Sequence, residues 1–274
     1  MNKFILICLL LVSVACGIST ESAGPTDYDA SIANDADMLE VDWSTSELDM
    51  MIDPTSVLGH WAQQVVLAGI AEVPVLGFQE TDTIGLGLVE ITELNGQLNY
   101  KLKICQTQIK RPDDIVTTQI PEAFIQSIPT YYRAVIAKND SVLFSRMAEL
   151  NGVRLNDPFE EELPTSADDP RIFDQDHDDL PGVTVFVTGL VSGKIYLIQR
   201  TITQMEGILE NDRISGLVNW SIDEQILGAD EPLLEMGAPI TPNTDQSRSQ
   251  FEMIRVSPNL NCSRFLIVFL LILG

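Results

Sequence analysis

The chain has 274 residues, of which 45% are hydrophobic, and its 40 acidic and 16 basic side chains give a formal net charge of -24. This length and apolar content are sufficient for one large β domain or two small ones. The negative charge disfavours nucleic acid and anionic lipid headgroups as partners, because they carry charge of the same sign, and it favours cations and basic proteins.

The N-terminus has the organisation of an export signal. One lysine, Lys3, precedes an apolar run over residues 4–12, and small residues then lead to Cys16. This order predicts a secretory signal peptide over residues 1–15. The mature protein would then begin at Cys16.

The residues around the predicted cleavage point, Ser13-Val14-Ala15-Cys16, resemble the lipobox of bacterial lipoproteins, with Ser13 in place of the usual leucine. The resemblance implies that Cys16 carries acyl chains such as palmitate, and several chains hold a protein on a bilayer far more firmly than one. Gly17, which is not aspartate, implies the outer membrane under the sorting rule of that family. The expected localisation is the cell envelope, with the membrane as partner. An ordinary signal peptide with an incidental cysteine is the alternative.

Residues 16–54 are predicted to form a flexible acidic tether. Residues 17–54 include ten acidic side chains and no lysine or arginine. A segment with so much net charge and few large apolar residues buries too little surface to fold alone.

Residues 55–264 are predicted to form an all-β domain. In QLNYKLKIC, residues 97–105, apolar side chains alternate with polar ones, and RISGLVNWSI, residues 213–222, repeats the pattern. Such alternation is typical of half-buried antiparallel strands. Further β-branched runs bounded by proline or glycine cover residues 59–77, 81–94 and 183–209.

One short helix and several turns complete the predicted domain. Pro121 and Glu122 suit the first turn of a helix, and Pro129 ends it after about two turns. The pairs Asn95-Gly96, Asn151-Gly152 and Ser192-Gly193 predict hairpin turns. The expected architecture is an antiparallel β-barrel or sandwich with one short helix, and one barrel is favoured over two small domains. An acidic excursion over residues 156–179 separates its two β-rich halves.

The acidic excursion ends in a candidate cation site. Asp174, Asp176 and Asp178 have the one-three-five spacing of calcium loops, in which alternate side chains of a tight turn converge on one point. Oxygen ligands favour calcium over zinc or copper. Asp179 replaces the turn glycine of an EF-hand and Val185 replaces its closing glutamate, so the segment is not an EF-hand.

Two further carboxylates, Asp168 and Asp169, are expected to complete a weak calcium shell from across the turn. The alternative is a solvated turn whose aspartates accept hydrogen bonds from backbone amides. The stretch DQDHDDLPGVTV, residues 174–185, resembles an acidic loop of uncharacterised bacterial envelope lipoproteins. That resemblance implies an exported all-β domain and no established activity.

The cysteines predict one disulfide. Cys8 lies in the predicted signal and Cys16 is assigned to the lipid, so Cys105 and Cys262 remain. In an oxidising compartment such a pair is expected to bond. Two buried thiols are the alternative.

The apolar C-terminal tail, residues 265–274, is too short for a transmembrane helix, since ten residues of helix span only about 15 Å of a core of about 30 Å. A buried final strand or a tail that dips into the membrane is favoured. A processed glycolipid-anchor signal would need a polar spacer that the sequence lacks.

Ser192 lies in a glycine-flanked turn, but the sequence around it has neither the spacing of a nucleophile elbow nor that of a phosphate-binding loop. The expected function is therefore that of a lipid-anchored envelope lipoprotein with a non-enzymatic binding or structural role. The alternative is an envelope hydrolase that acts on glycans or lipids through a carboxylate pair. In a secreted eukaryotic protein, Asn139 and Asn219 would be glycosylation sites instead.

Overall fold

A computed structural model describes residues 57–112 and 115–273, all within one compact unit of the chain, and the lipidation and tether predictions lie outside them. The described chain is mostly antiparallel β-sheet, as predicted. Its strands are β1 Gly59–Val73, β2 Gly77–Leu94, β3 Gln97–Lys110, β4 Val116–Gln119, β5 Tyr131–Lys138, β6 Ser141–Asn151, β7 Val183–Gly189, β8 Gly193–Glu210, β9 Arg213–Ala229, β10 Ile240–Pro242 and β11 Gln250–Arg255. The helices are α1 Glu122–Ser127, α2 Pro232–Glu235 and α3 Cys262–Leu273.

Eight of these strands form a closed barrel. Each strand pairs with the next in the order β8, β6, β5, β3, β2, β1, β11, β9, and β9 returns to pair with β8. The N-terminal strand β1 lies beside the C-terminal strand β11, so strands from both β-rich parts of the sequence share one sheet. Closure removes the free edges that an open sheet would expose.

The predicted alternation is confirmed in the wall of the barrel. In β3, Leu98, Tyr100 and Leu102 are buried, whereas Gln97, Lys101 and Lys103 are exposed. In β9, the buried, inward-facing Ile214, Val218 and Trp220 likewise alternate with exposed residues.

One half of the barrel is filled with side chains. Tyr100 and Phe144 pack edge to face with ring centroids 5.5 Å apart, and Phe144 packs in the same way on Phe251 at 5.6 Å. Trp61 is fully buried beside them and donates from Nε1 to the Val57 carbonyl at 3.1 Å. This aromatic core closes the end of the barrel that contains the β2–β3, β5–β6 and β8–β9 hairpins.

The other half of the barrel has a more complex wall. Strand β8 pairs with β7 along its first residues and with β6 along its later ones, so two shorter strands share one of its edges. Strand β4 extends the sheet from β7, and both β4 and α1 contact β3. Helix α1 begins after Pro121, as predicted, and buries Phe124 against Val183, Val185 and Leu197.

The C-terminal tail is helical, and the expectation of a buried final strand is wrong. Asn261 Oδ1 accepts a hydrogen bond from the Arg264 amide at 3.0 Å, which starts α3. Because β8 and β9 close the barrel, a further strand would find no free edge there, whereas a helix satisfies its own backbone. Phe265 is buried against the outer face of the barrel in a cluster with Leu86 and Cys105.

The predicted disulfide is confirmed between Cys105 and Cys262, whose Cα atoms are 5.2 Å apart. It ties the first residue of α3 to β3 on the outside of the barrel. The bond therefore holds the apolar helix on the wall.

Of the three predicted turns, Asn95-Gly96 forms the β2–β3 connection, and Ser192-Gly193 lies where the β7–β8 connection leads into β8, whose first residue is Gly193. Asn151-Gly152 does not form a hairpin and instead leads from β6 into the segment that contains the acidic excursion. The chain leaves the barrel at Gly152 and returns at Gly182, where the two backbones are so close that a Cβ on Gly152 would lie 2.5 Å from the Gly182 Cα.

Candidate functional site

The open half of the barrel encloses a lumen of about 490 Å³. The lumen begins where the aromatic core ends and extends toward the β1–β2 and β7–β8 turns. Its volume falls in the range of small-molecule sites in proteins.

The lumen wall is mainly apolar and contains one polar strip. Strands β1 to β3 contribute mainly apolar groups, among them Val65, Leu67, Leu102 and Ile104. Strands β6, β8 and β9 contribute a polar strip that consists of Glu149, Asn151, Gln199, Thr201, Thr203 and Glu224. A ligand that matched both the apolar wall and the polar strip would be amphipathic.

Arg133 of β5 lies where the lumen meets the aromatic core. Its guanidinium lies over the Tyr100 ring at 5.1 Å and donates from Nη2 to Thr203 Oγ1 at 2.9 Å and from Nη1 to the Ser145 carbonyl at 3.4 Å. Its Nε is buried and has no hydrogen-bond partner. The side chain is 7% exposed, and none of the ion pairs formed among the described residues includes it.

Two carboxylates share the lumen with Arg133. Burial raises the pKa of Glu149 to about 7, an effect that the nearby Arg133 charge partly offsets. Burial also raises the pKa of Glu224, whose carboxylate accepts a hydrogen bond from Gln199 Nε2 at 3.3 Å. Glu149 is half-buried, whereas Glu224 is exposed and also lines a neighbouring pocket, and protein groups surround both carboxylates.

The mouth of the lumen is apolar and solvent-exposed. Val75 in the β1–β2 turn is 90% exposed and Leu190 in the β7–β8 turn is 67% exposed, and both line the lumen. Leu233 of α2 joins them. An apolar entrance of this kind favours the approach of apolar molecules.

The acidic turn brings three of its predicted ligands together. Asp174, Asp176 and Asp178 each place a carboxylate oxygen within 4.8 Å of the others. Their carboxylate oxygens already accept hydrogen bonds within the turn. Asp174 accepts from the backbone amides of Asp178 at 3.2 Å and Asp179 at 3.0 Å. Hydrogen bonds of this kind are expected under the alternative interpretation, in which the aspartates cap backbone amides of a solvated turn.

Asp176 is the buried member of the turn. Its Oδ2 accepts from the Thr184 amide at 2.9 Å, and its Oδ1 is buried without a partner. Burial raises the pKa of this carboxyl group. Thr184 Oγ1 in turn donates to Asp178 at 2.8 Å, which fixes the turn on β7.

The structure does not bring Asp168 and Asp169 into this cluster. Asp169 instead accepts two hydrogen bonds from the Arg171 guanidinium, at 3.0 and 2.9 Å, and these hold the pKa of Asp169 down at about 2. Arg171 also binds Glu161 at 2.7 Å. Asp168 is exposed.

Calcium binding to the acidic turn stays a prediction, and calorimetric titration tests it. We expect heat at millimolar calcium, because modules with few fixed ligands bind it with Kd of about 10⁻⁴ to 10⁻³ M. The heat should disappear in Asp174→Asn/Asp176→Asn and persist in Glu162→Gln, which alters an exposed carboxylate nearby. Absence of heat in the unaltered protein would leave only the capped turn.

Arg133 and Glu149 were not identified from the sequence. The alternation over residues 147–151 contains a signal for Glu149, but the alternation that precedes it points the other way. Glu149 and Asn151 share the parity of the buried Met147. A bulge between Phe144 and Met147 switches the inward parity of β6, so the alternation that begins at Val142 assigns Glu149 to the outside.

Among the described residues, none of the helices combines the length and apolar character needed to cross a membrane. Comparisons of the chain with models of protein families, with curated proteins and with solved structures found no match.

Proposed function

We propose that this chain is an exported, lipid-anchored binding protein whose barrel holds a small amphipathic molecule. The observation that supports binding is the lumen of about 490 Å³, which is closed at one end by packed aromatic residues and has an apolar entrance at the other. Enclosed apolar sites with a few convergent polar groups are the usual form of ligand pockets.

The carboxylates in the lumen favour binding over hydrolysis. A glycoside hydrolase needs two carboxyl groups whose environments push their pKa values apart, so that one is protonated while the other is ionised. Here burial raises the pKa of both Glu149 and Glu224, so neither carboxyl group has the surroundings that hold the second member of such a pair ionised. The envelope hydrolase is therefore the less favoured proposal.

The lipid anchor and the envelope localisation are inferred from the sequence around Cys16 and stay predictions. The intact mass of the mature protein tests them, because acyl chains on an N-terminal Cys16 add a characteristic mass. A mature chain that begins elsewhere would remove the anchor from the proposal.

Filling the lumen should weaken ligand binding. Gly85 of β2 lines the lumen, and a Cβ placed on it would meet no atom within 4 Å, so a side chain can begin there without a clash and extend into the lumen. We expect Gly85→Leu to weaken binding of phenylnaphthylamine, a neutral dye that brightens in apolar surroundings, by about tenfold or more, since each lost contact with the wall costs affinity. Fluorescence titration measures the effect.

Ser215→Leu is the matched control, because it adds the same side chain at an exposed position of β9. It should leave dye affinity unchanged. If the unaltered protein fails to bind the dye, or binds it equally well after Gly85→Leu, the lumen is not a binding site.

A further inference from the structure

We propose that the lumen binds an organic anion, with its anionic group on Arg133 and its apolar part along β1 to β3. This inference rests on the proposed function and adds the charge of the ligand. It follows from the surroundings of Arg133 rather than from the volume of the cavity.

The first step is that Arg133 is buried without a salt bridge to any described residue. A guanidinium has five N–H donors, and although burial lowers the pKa of Arg133, the group stays charged near neutral pH. Arg133 uses two of its nitrogens on neutral acceptors, Thr203 and Ser145, and leaves Nε unsatisfied in the buried wall. The Glu149 charge interacts with Arg133, but the two side chains form no salt bridge, and burial favours the neutral form of Glu149. A bound anion would give the buried guanidinium a direct charged partner and so offset the cost of its burial.

The second step is that the two carboxylates of the lumen can become neutral by protonation when an anion binds. The charged side chains that line it are Arg111, Arg133, Glu149 and Glu224, with the Tyr100 hydroxyl below them donating to Gln63 at 2.6 Å. Burial makes both carboxylates easier to protonate. Because Arg133 has no comparable way to become neutral near pH 7, the persistent charge beside the core is positive.

The third step is the position of the apolar surface. Leu102 and Ile104 of β3 line the lumen together with Val65 and Leu67 of β1, and the exposed Val75 lies at the mouth. An anion on Arg133 would therefore sit at the inner end, and a hydrocarbon chain would extend toward the entrance. A fatty carboxylate has this arrangement of charge and apolar surface.

The test compares two ligands that differ only in the head group. Dodecanoate and dodecanol are each titrated against bound phenylnaphthylamine, whose displacement is read as a loss of fluorescence. Because a charged hydrogen bond contributes more than a neutral one, we expect dodecanoate to displace the dye at a concentration about tenfold lower than dodecanol does. Arg133→Met should remove this preference, and Arg146→Met, which alters an exposed arginine of β6, should keep it.

A second variant decides the matter if Arg133→Met does not fold. Glu149→Gln removes the competing negative charge, so dodecanoate should bind about two- to tenfold more tightly while dodecanol is unaffected. Equal displacement by the two ligands, no displacement by dodecanoate, or weaker dodecanoate binding in Glu149→Gln would each overturn the inference. Failure of the dye itself to bind would instead contradict the proposed function.

Discussion

Replacement of Cys105 and Cys262 by serine should lower the free energy of unfolding by about 5 kcal/mol. The disulfide joins residues 157 positions apart, and a cross-link over so long a loop removes much of the conformational entropy of the unfolded chain. The same change should release α3 from the barrel wall, because the bond joins the first residue of the helix to β3. Chemical denaturation with and without a reductant measures the loss.

The control is internal to the experiment. A reductant should destabilise the unaltered protein and leave the double-serine variant unchanged, since only the former has this bond to lose. The expected fall in Tm is on the order of 10 °C for a domain of this size. If the reductant leaves the denaturation midpoint of the unaltered protein where it was, the disulfide does not contribute to stability.

Glu149→Gln should stabilise the protein at and above neutral pH by up to about 3 kcal/mol. The pKa of this carboxyl group rises from 4.5 to about 7 on folding, so the folded protein holds a proton that the unfolded chain has released. In that pH interval the folded state binds more protons, and the stability of the unaltered protein therefore falls as pH rises. Below pH 4.5 both states are protonated, and the glutamine variant should bring no gain from this source.

The measurement is the free energy of unfolding as a function of pH. The difference between Glu149→Gln and the unaltered protein should grow between pH 4.5 and pH 7 and then level off. Glu93→Gln, which alters an exposed carboxylate in β2, should show no such growth. A constant difference across this range would mean that folding does not perturb Glu149.

The barrel could be predicted from the sequence because alternation in β3 and β9 is uninterrupted over the segments that pack on the core. Residues 97–104 and 213–222 each keep one parity inward, so the periodicity alone identifies them as half-buried strands. Helix α1 could be predicted because Pro121 and Pro129 bracket it. The disulfide followed from elimination among four cysteines.

The lumen could not be predicted because it depends on which strands meet across the barrel and on where the register shifts. The bulge in β6 turns Glu149 and Asn151 inward, and a second irregularity leaves Cys105 as the extra residue of β3 opposite Leu86 and Gly87. Such insertions depend on pairing between distant segments. The helical tail was missed for a related reason: ten apolar residues fit a strand and a helix equally well until the closed barrel excludes the strand.

The backbone contact between Gly152 and Gly182 has an evolutionary consequence. Because the chain departs from the barrel and rejoins it at one point, the 29 residues between these glycines can lengthen, shorten or diverge without altering the register of any barrel strand. An insertion of one residue within β8 would instead reverse the inward and outward faces of the strand that three neighbours share. Homologous chains should therefore vary freely in this segment while the length of β8 is preserved.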